Sequence, residues 1–246
     1  MSKKMSTTDK VLVIGGGVGG CSVAVDLSNM GVKVVLVEKQ NRIGGHAADM
    51  CCKATDVCLR CNVCVAHEKF RAVKECKNIE VLTGSEVSSL IQDGDSYSAF
   101  INTGGKEKII DNIKAVAVAC GFAEYQPCEN NHYGYGFGGD VITGIEAEAQ
   151  IADRGYIYRP SDGQKPKNVA FIQCVGSRTE EIFREPGNTD YCSGVCCAYA
   201  MRVAKKIKYI DPESQVAVFY MDIQKFGKGF NDFYSQCRSE DRKSVV

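Results

Sequence analysis

The chain has 246 residues, 44% of them hydrophobic, with basic and acidic residues balanced at 30 each. That length suffices for one large or two small buried cores, and the charge balance offers no basic field for nucleic acid or a membrane surface. No apolar run approaches the ~18–20 residues of a membrane helix, and the polar residues 1–9 lack the apolar core of a secretory signal, so a soluble, cytoplasmic protein is expected. The composition stands out only in its 14 cysteines. Clustered thiols in a reducing compartment point to metal ligands or redox centres rather than disulfides.

In chain order, Lys10–Lys39 comes first, reading KVLVIGGGVGGCSVAVDLSNMGVKVVLVEK. An apolar strand runs into a glycine turn, then a helix, then a second apolar strand ending at Glu38, which is the βαβ unit that binds a dinucleotide pyrophosphate. Gly15 is expected to make the turn, Gly17 to let backbone N–H groups reach the phosphates, and Gly20 to let helix and strand pack closely. The helix N-terminus adds partial positive charge. Glu38 lies 18 residues past Gly20 and is placed to accept hydrogen bonds from a ribose. Next, Gly44-Gly45-His46 forms a loop that allows close backbone approach. His46 is positioned either to meet a cofactor ring or to bond to backbone.

A cysteine-rich insert at 51–64 follows, then a helix expected over Ala66–Lys74 and a strand over Ile79–Val87. Tyr97–Thr103 and Ile109–Val118 read as further strands, with Gly104-Gly105 as a hairpin turn. Val116–Phe122 ends on Gly121. Residues 125–140, rich in tyrosine and glycine, read as a surface loop, and Ile142–Ala152 as a short helix. The turn formers of 159–166 mark the expected domain boundary, which gives domains of 1–158 and 159–246. Beyond it, a strand over Asn168–Gln173, a helix over Ser193–Ile210 and a strand over Val216–Ile223 make a second βαβ plan. Where the first unit has glycines at its helix start, this one has Cys192-Ser-Gly-Val-Cys196-Cys197.

If the second unit folds this way, Cys174, Cys192, Cys196 and Cys197 converge at the C-terminal edge of its sheet, at a helix N-terminus that favours thiolates. Four thiolates suit an iron–sulfur cluster or zinc; the alternative is that Cys196 and Cys197 are small buried residues. In the insert, Cys58, Cys61 and Cys64 form a C-x-x-C-x-x-C. That spacing is expected to hold an iron–sulfur cluster, with a fourth ligand from Cys51, Cys52 or Cys76, and Cys52 favoured. A redox dithiol or a zinc site are the alternatives. No hydrolase triad and no paired carboxylates stand out.

With these motifs in view, the chain resembles the A-type component of heterodisulfide reductase and its relatives. The resemblance rests on VLVIGGGVGG with VLVEK, IGGH at 43–46, NIEVLTGSEV at 78–87, RPSDGQKPKNVAFIQCVGSR at 159–178, YCSGVCCAYA at 191–200 and FYMDIQKFGKGFNDFY at 219–234. It implies a fold similar to thioredoxin reductase, with an α/β Rossmann-like FAD-binding domain followed by a partial second Rossmann-like unit carrying a cysteine cluster. FAD contacts implied are Gly15, Gly17, Gly20, Glu38, Lys39, Gly44, Gly45, His46, the backbone of Val87, and Gly121. The implied ligands of a 4Fe–4S cluster are Cys174, Cys192, Cys196 and Cys197.

The implied role is FAD- and iron–sulfur-dependent electron transfer, bifurcation included, alongside other heterodisulfide-reductase-like subunits and ferredoxin or similar carriers. An NAD(P)H-dependent disulfide reductase using Cys58 and Cys61, and a non-catalytic electron conduit, are the competing readings. The absence of a second G-x-G-x-x-G weighs against the former. Cys64 and Cys120 depart from the family pattern. The chain stops within what would be the second domain, so the expectation is a fragment, or a protein whose remainder is a separate polypeptide.

Overall fold

The structure is a computed structural model describing residues 9–128, 131–224 and 226–240. It divides into two compact units. The first comprises residues up to Asp49 together with Asn62–Phe122, and the second comprises Met50–Cys61 with Ala123 onward. The cysteine-rich segment 50–61 and the turn-rich 159–166 therefore both lie within the second unit.

In the first unit, β1 (Lys10–Ile14), α1 (Val18–Asn29), β2 (Lys33–Val37), α2 (Val63–Glu75) and β3 (Ile79–Leu82) precede a meander of β4 (Ser85–Asp93), β5 (Ser96–Thr103) and β6 (Lys106–Val118). The sheet order is β3-β2-β1-β6-β5-β4; β3, β2, β1 and β6 are parallel, and β6, β5 and β4 antiparallel. The Gly104-Gly105 hairpin forms as the sequence implies, with φ of 56° and 83°.

The strand expected over 79–87 is instead two strands. The chain turns at Thr83-Gly84, where Gly84 (φ 57°) donates its N–H to the Gln40 carbonyl and the Ser85 N–H binds the Glu38 carbonyl. β3 and β4 thus lie at opposite ends of the strand order yet two residues apart in sequence. The sheet must roll for this, and β6 supplies the bend. Its first part pairs with β5 and its last with β1, changing partners around Asn112, a non-glycine residue at φ 60°.

Rolling gives three layers. Val11, Val13, Val34 and Leu36 face α1 and α2, meeting Cys21, Ala24, Phe70 and Val73. Leu12, Val35 and Val37 face the meander, meeting Ala99, Ile101, Ile110 and Ile113. The central parallel strands are covered on both faces, which is why they read as unbroken apolar runs rather than alternating ones.

The second unit contains α3 (Gly144–Arg154), β7 (Asn168–Ile172), α4 (Cys196–Ile210), β8 (Gln215–Phe219) and α5 (Phe230–Glu240). β7 and β8 pair in parallel with α4 as the crossover. α3 begins with a complete capping box, the Thr143 hydroxyl accepting from the Glu146 N–H and the Glu146 carboxylate accepting from the Thr143 N–H, and it ends at Gly155 in the left-handed region. Ala147, Ile151, Val203 and Ile207 form the core with Cys51 of the 50–61 segment.

Candidate functional site

The glycine turn of the first unit is shaped by contacts that exclude side chains. Gly15 sits at φ 102°, and a Cβ there would lie 2.4 Å from the Ala119 carbonyl oxygen. A Cβ on Gly20 would lie 1.8 Å from the Gly15 carbonyl oxygen, so α1 packs against the end of β1 only because residue 20 is glycine. At Gly17 a Cβ would meet nothing within 4 Å. Gly17 is also the N-cap of α1, with no side chain bonded to the helix start, so the first N–H groups of α1 face an open surface. The positive end of the helix dipole therefore stands beside open space at Gly17.

Glu38 closes this turn from β2. It is 8% exposed, one carboxylate oxygen accepting the Gly16 N–H at 2.6 Å and the other the Gln40 N–H at 2.7 Å. The loop carrying Gly44 and Gly45 folds onto the same place. Gly44 donates to the Gly16 carbonyl at 2.7 Å, and a Cβ on Gly45 would stand 3.3 Å from the Gly17 Cα. His46 reaches the end of β6, its Nε2 3.1 Å from the Phe122 carbonyl oxygen and its ring 4.9 Å from the Phe122 ring.

Gly15, Gly17, Gly20, Glu38, Gly44, Gly45, His46 and Gly121 thus gather at the C-terminal edge of β1, β2 and β6. Lys39 follows Glu38 and is exposed. Val87 lies on β4 two residues past the Ser85–Glu38 contact and packs against the meander side of the sheet. Sequence reading misses two contributors. Cys21, on the buried face of α1, donates its thiol to the Gly16 carbonyl at 3.1 Å, and burial pushes its pKa up to about 11. Ala119 supplies the carbonyl that Gly15 must clear. Neither signal is local, because each depends on the three-dimensional closeness of the turn.

In the second unit, Cys174 follows β7, Cys196 and Cys197 open α4, and Cys192 precedes that helix by four residues. Cys174 (φ 61°), Gly176 (φ 69°) and Arg178 (φ 58°) all lie in the left-handed region, forming a tight loop held by the bonds of Thr189 N–H to the Gly176 carbonyl and Arg178 N–H to the Tyr191 carbonyl. A Cβ on Gly176 would strike the Tyr125 ring, so only glycine fits beneath that ring.

Burial raises the Cys174 pKa, and the neighbouring Cys196 and Cys192 add to the rise, while Arg178 opposes it with a side-chain hydrogen bond. Burial likewise raises that of Cys197, against a backbone N–H from Gln224, with Cys196 and Cys174 nearby. The Gly194 N–H donates to the Cys192 sulfur at 3.3 Å. The four thiols therefore act on one another electrostatically. They do not form a closed coordination shell: among the described residues no group of three or more His, Cys, Asp or Glu side chains stands in metal-binding geometry.

The insert cysteines divide. Cys52, Cys58 and Cys61 lie on the 50–61 segment of the second unit, with Cys58 accepting the Arg60 N–H at 3.4 Å, whereas Cys64 lies in the first turn of α2 in the first unit. Sequence reading also misses how the insert is held. Lys53 and Glu148, 2% and 0% exposed, form a buried ion pair at 2.5 Å, and Glu148 also accepts the Cys51 N–H at 2.8 Å. From α4, Arg202 donates to the Leu59 carbonyl, Lys206 to the Ala54 carbonyl and Tyr209 to the Asp56 carboxylate.

Comparison with known proteins bears on both sites. Residues 13–53 match the family described as NAD(P)-binding Rossmann-like domain. The A-type component of the H(2):CoB-CoM heterodisulfide,ferredoxin reductase of Methanothermobacter thermautotrophicus is 31% identical over 99% of this chain and 48% of its own length. An A-type iron-sulfur component of the CoB–CoM heterodisulfide reductase of Methanopyrus kandleri is 32% identical over 96% of this chain and 47% of its own. The chain is related to the A-type components of heterodisulfide reductase. It spans about half the length of the curated relatives it matches.

Among solved structures, thioredoxin reductase of T. acidophilum superposes with a TM-score of 0.57 at 15% identity, covering 96% of this chain and 63% of the other. The bacillithiol disulfide reductase of Bacillus cereus gives 0.50 at 14%, covering 97% and 67%. These place the fold, a Rossmann-like α/β architecture of the thioredoxin reductase kind. The similarity to heterodisulfide reductase components extends over nearly the whole of this chain. No helix among the described residues is long and apolar enough to cross a membrane.

Proposed function

We propose that the chain is an electron-transfer oxidoreductase component of the heterodisulfide reductase A type, binding FAD in its first unit and one 4Fe–4S cluster in its second. The observation that carries this reading is the contrast between two helix N-termini. α1 opens on bare backbone behind a glycine turn, suited to a pyrophosphate, whereas α4 opens on cysteines, suited to a net-negative thiolate site.

For FAD, Gly17 and Gly121 stand at open space and Gly45 beside Gly17, Gly15, Gly20 and Gly44 hold the turn and loop in shape, Glu38 stands at the end of β2 where a ribose would lie, and His46 and Lys39 flank it. For the cluster, Cys174, Cys192, Cys196 and Cys197 would be the ligands. What supports this reading is that all four are sulfur, gathered around the start of α4, with the Gly194 N–H donating to Cys192, although among the described residues they do not stand in metal-binding geometry. Bound together, a flavin and a cluster supply a two-electron and a one-electron centre in one polypeptide. The chain's own residues bind, orient and set the electrostatics of the two centres. The partners in this reading are other heterodisulfide-reductase-like subunits and ferredoxin-like carriers.

The test is purification under anaerobic conditions from a host that assembles the complex, with a visible spectrum and counts of flavin, iron and sulfide. Flavin together with iron and sulfide is the expected result. A complex containing neither would end the proposal. FAD without iron, with NADPH-driven thiol turnover, would favour a disulfide reductase using Cys58 and Cys61.

A further inference from the structure

Gly16 has both of its backbone polar groups engaged inside the protein. Its N–H donates to a Glu38 carboxylate oxygen at 2.6 Å, and its carbonyl accepts the Gly44 N–H at 2.7 Å and the Cys21 thiol at 3.1 Å. The end of β2, the 44–45 loop and the first turn of α1 are thus tied to one residue. A peptide whose carbonyl is held by two donors is fixed in rotation. The 16–17 bond is planar and trans, so the Gly17 N–H points the opposite way from the Gly16 C=O, away from the buried thiol. A Cβ on Gly17 would meet nothing within 4 Å, so nothing in the chain crowds the residue that carries this N–H. Cys21 is itself fully buried. Burial, with the Glu38 carboxylate adding to it, pushes its pKa to about 11, so the thiol keeps its proton and remains a donor at neutral pH.

We infer that Cys21 is a positioning residue: by holding the Gly16 carbonyl, its thiol fixes the Gly17 N–H in the direction in which it donates to the phosphate of a bound dinucleotide. This rests on the proposed FAD site and names a side chain that presets one of its donors. The thiol touches no ligand. A donor already aimed needs no ordering when the anion arrives, so loosening it is felt as weaker phosphate binding.

The test uses the full chain freed of flavin, titrated with FAD by fluorescence and with ADP and adenosine by ligand-observed NMR. Cys21→Val keeps the packing volume and loses the donor, whereas Cys21→Ser keeps a donor and loses volume. Affinity is expected to follow the donor. Cys21→Val should weaken FAD and ADP by roughly fivefold and leave adenosine, which has no phosphate, unchanged. Cys21→Ser should bind close to wild type even as its urea midpoint falls. If Cys21→Val does not fold, Cys21→Ala set against Cys21→Ser makes the same comparison, since both lose volume and only the serine keeps a donor. Equal affinities in all chains, affinities that follow the urea midpoint, or an equal loss for adenosine would overturn the positioning role and leave the FAD site standing. A wild-type chain that binds neither FAD nor ADP would overturn both.

Discussion

A methyl group on Gly20 would sit 1.8 Å from the Gly15 carbonyl oxygen, whereas one on Gly17, in the same turn, would touch nothing. The two substitutions therefore separate folding from ligand binding. Gly20→Ala should push α1 off β1 and cost about 1–3 kcal/mol or more, read as a lower midpoint in urea unfolding. Gly17→Ala, at an ordinary φ of −72°, should unfold like wild type while weakening flavin retention, because its methyl group occupies the phosphate approach. Two buried thiols give a pH prediction. Burial raises Cys21 from an ordinary 9.0 to about 11 and Cys51 to about 12. The folded chain thus keeps protons that the unfolded chain gives up above pH 9, so stability falls as pH rises from about 9 towards 12. Unfolding midpoints measured across that range should decline, and a Cys21→Ala, Cys51→Ala chain should decline less. At pH 8, iodoacetamide should label the exposed Cys52, Cys58 and Cys120 well before Cys21 or Cys51.

At the scale of elements, the Lys53–Glu148 pair joins the 50–61 segment to α3 with both side chains out of water. Removing one partner strands the other charge, so Lys53→Met should cost about 3–5 kcal/mol in chemical denaturation, and Lys53→Met with Glu148→Leu should recover much of it. The elements themselves are readable to very different degrees. β1, β2, the glycine turn and the 104–105 hairpin are legible because local chemistry dictates them: apolar runs covered on two faces and glycines at positive φ. The break at Thr83-Gly84 is not, because the apolar pattern continues through it and only the roll of the sheet requires the turn. α5 does not read as a helix, its one buried anchor among the described residues being Phe230 against Cys197 and Met201. The Lys53–Glu148 pair is hidden for another reason: its partners lie 95 residues apart. For the cysteines, the βαβ plan puts Cys174 after a strand and Cys196 and Cys197 at a helix start, as spacing suggests, yet among the described residues Cys174, Cys192, Cys196 and Cys197 do not stand in metal-binding geometry. The ion pair of Arg178 with Asp222 gives no such sign, being formed only where the loops after β7 and β8 meet.

At the scale of the whole molecule, the 50–61 segment behaves as part of the second unit. It contributes Cys51 to the core of α3 and α4 and receives donors from Arg202, Lys206 and Tyr209. Replacing it with a glycine–serine linker of equal length should speed hydrogen exchange in α3 and α4 and leave β1, α1 and β2 unchanged. Faster exchange throughout, or in the first unit alone, would contradict that assignment. The chain passes between its two units three times, at 49–50, 61–62 and 122–123. No single cut, and no single recombination breakpoint, can therefore separate them. A piece beginning at residue 123 leaves Glu148 without its cation, and a piece ending at 122 carries residues 50–61, which belong elsewhere. Exchange of the second unit between homologues has to bring residues 50–61 along as a separate stitch, and descent should preserve the two stretches as a matched pair.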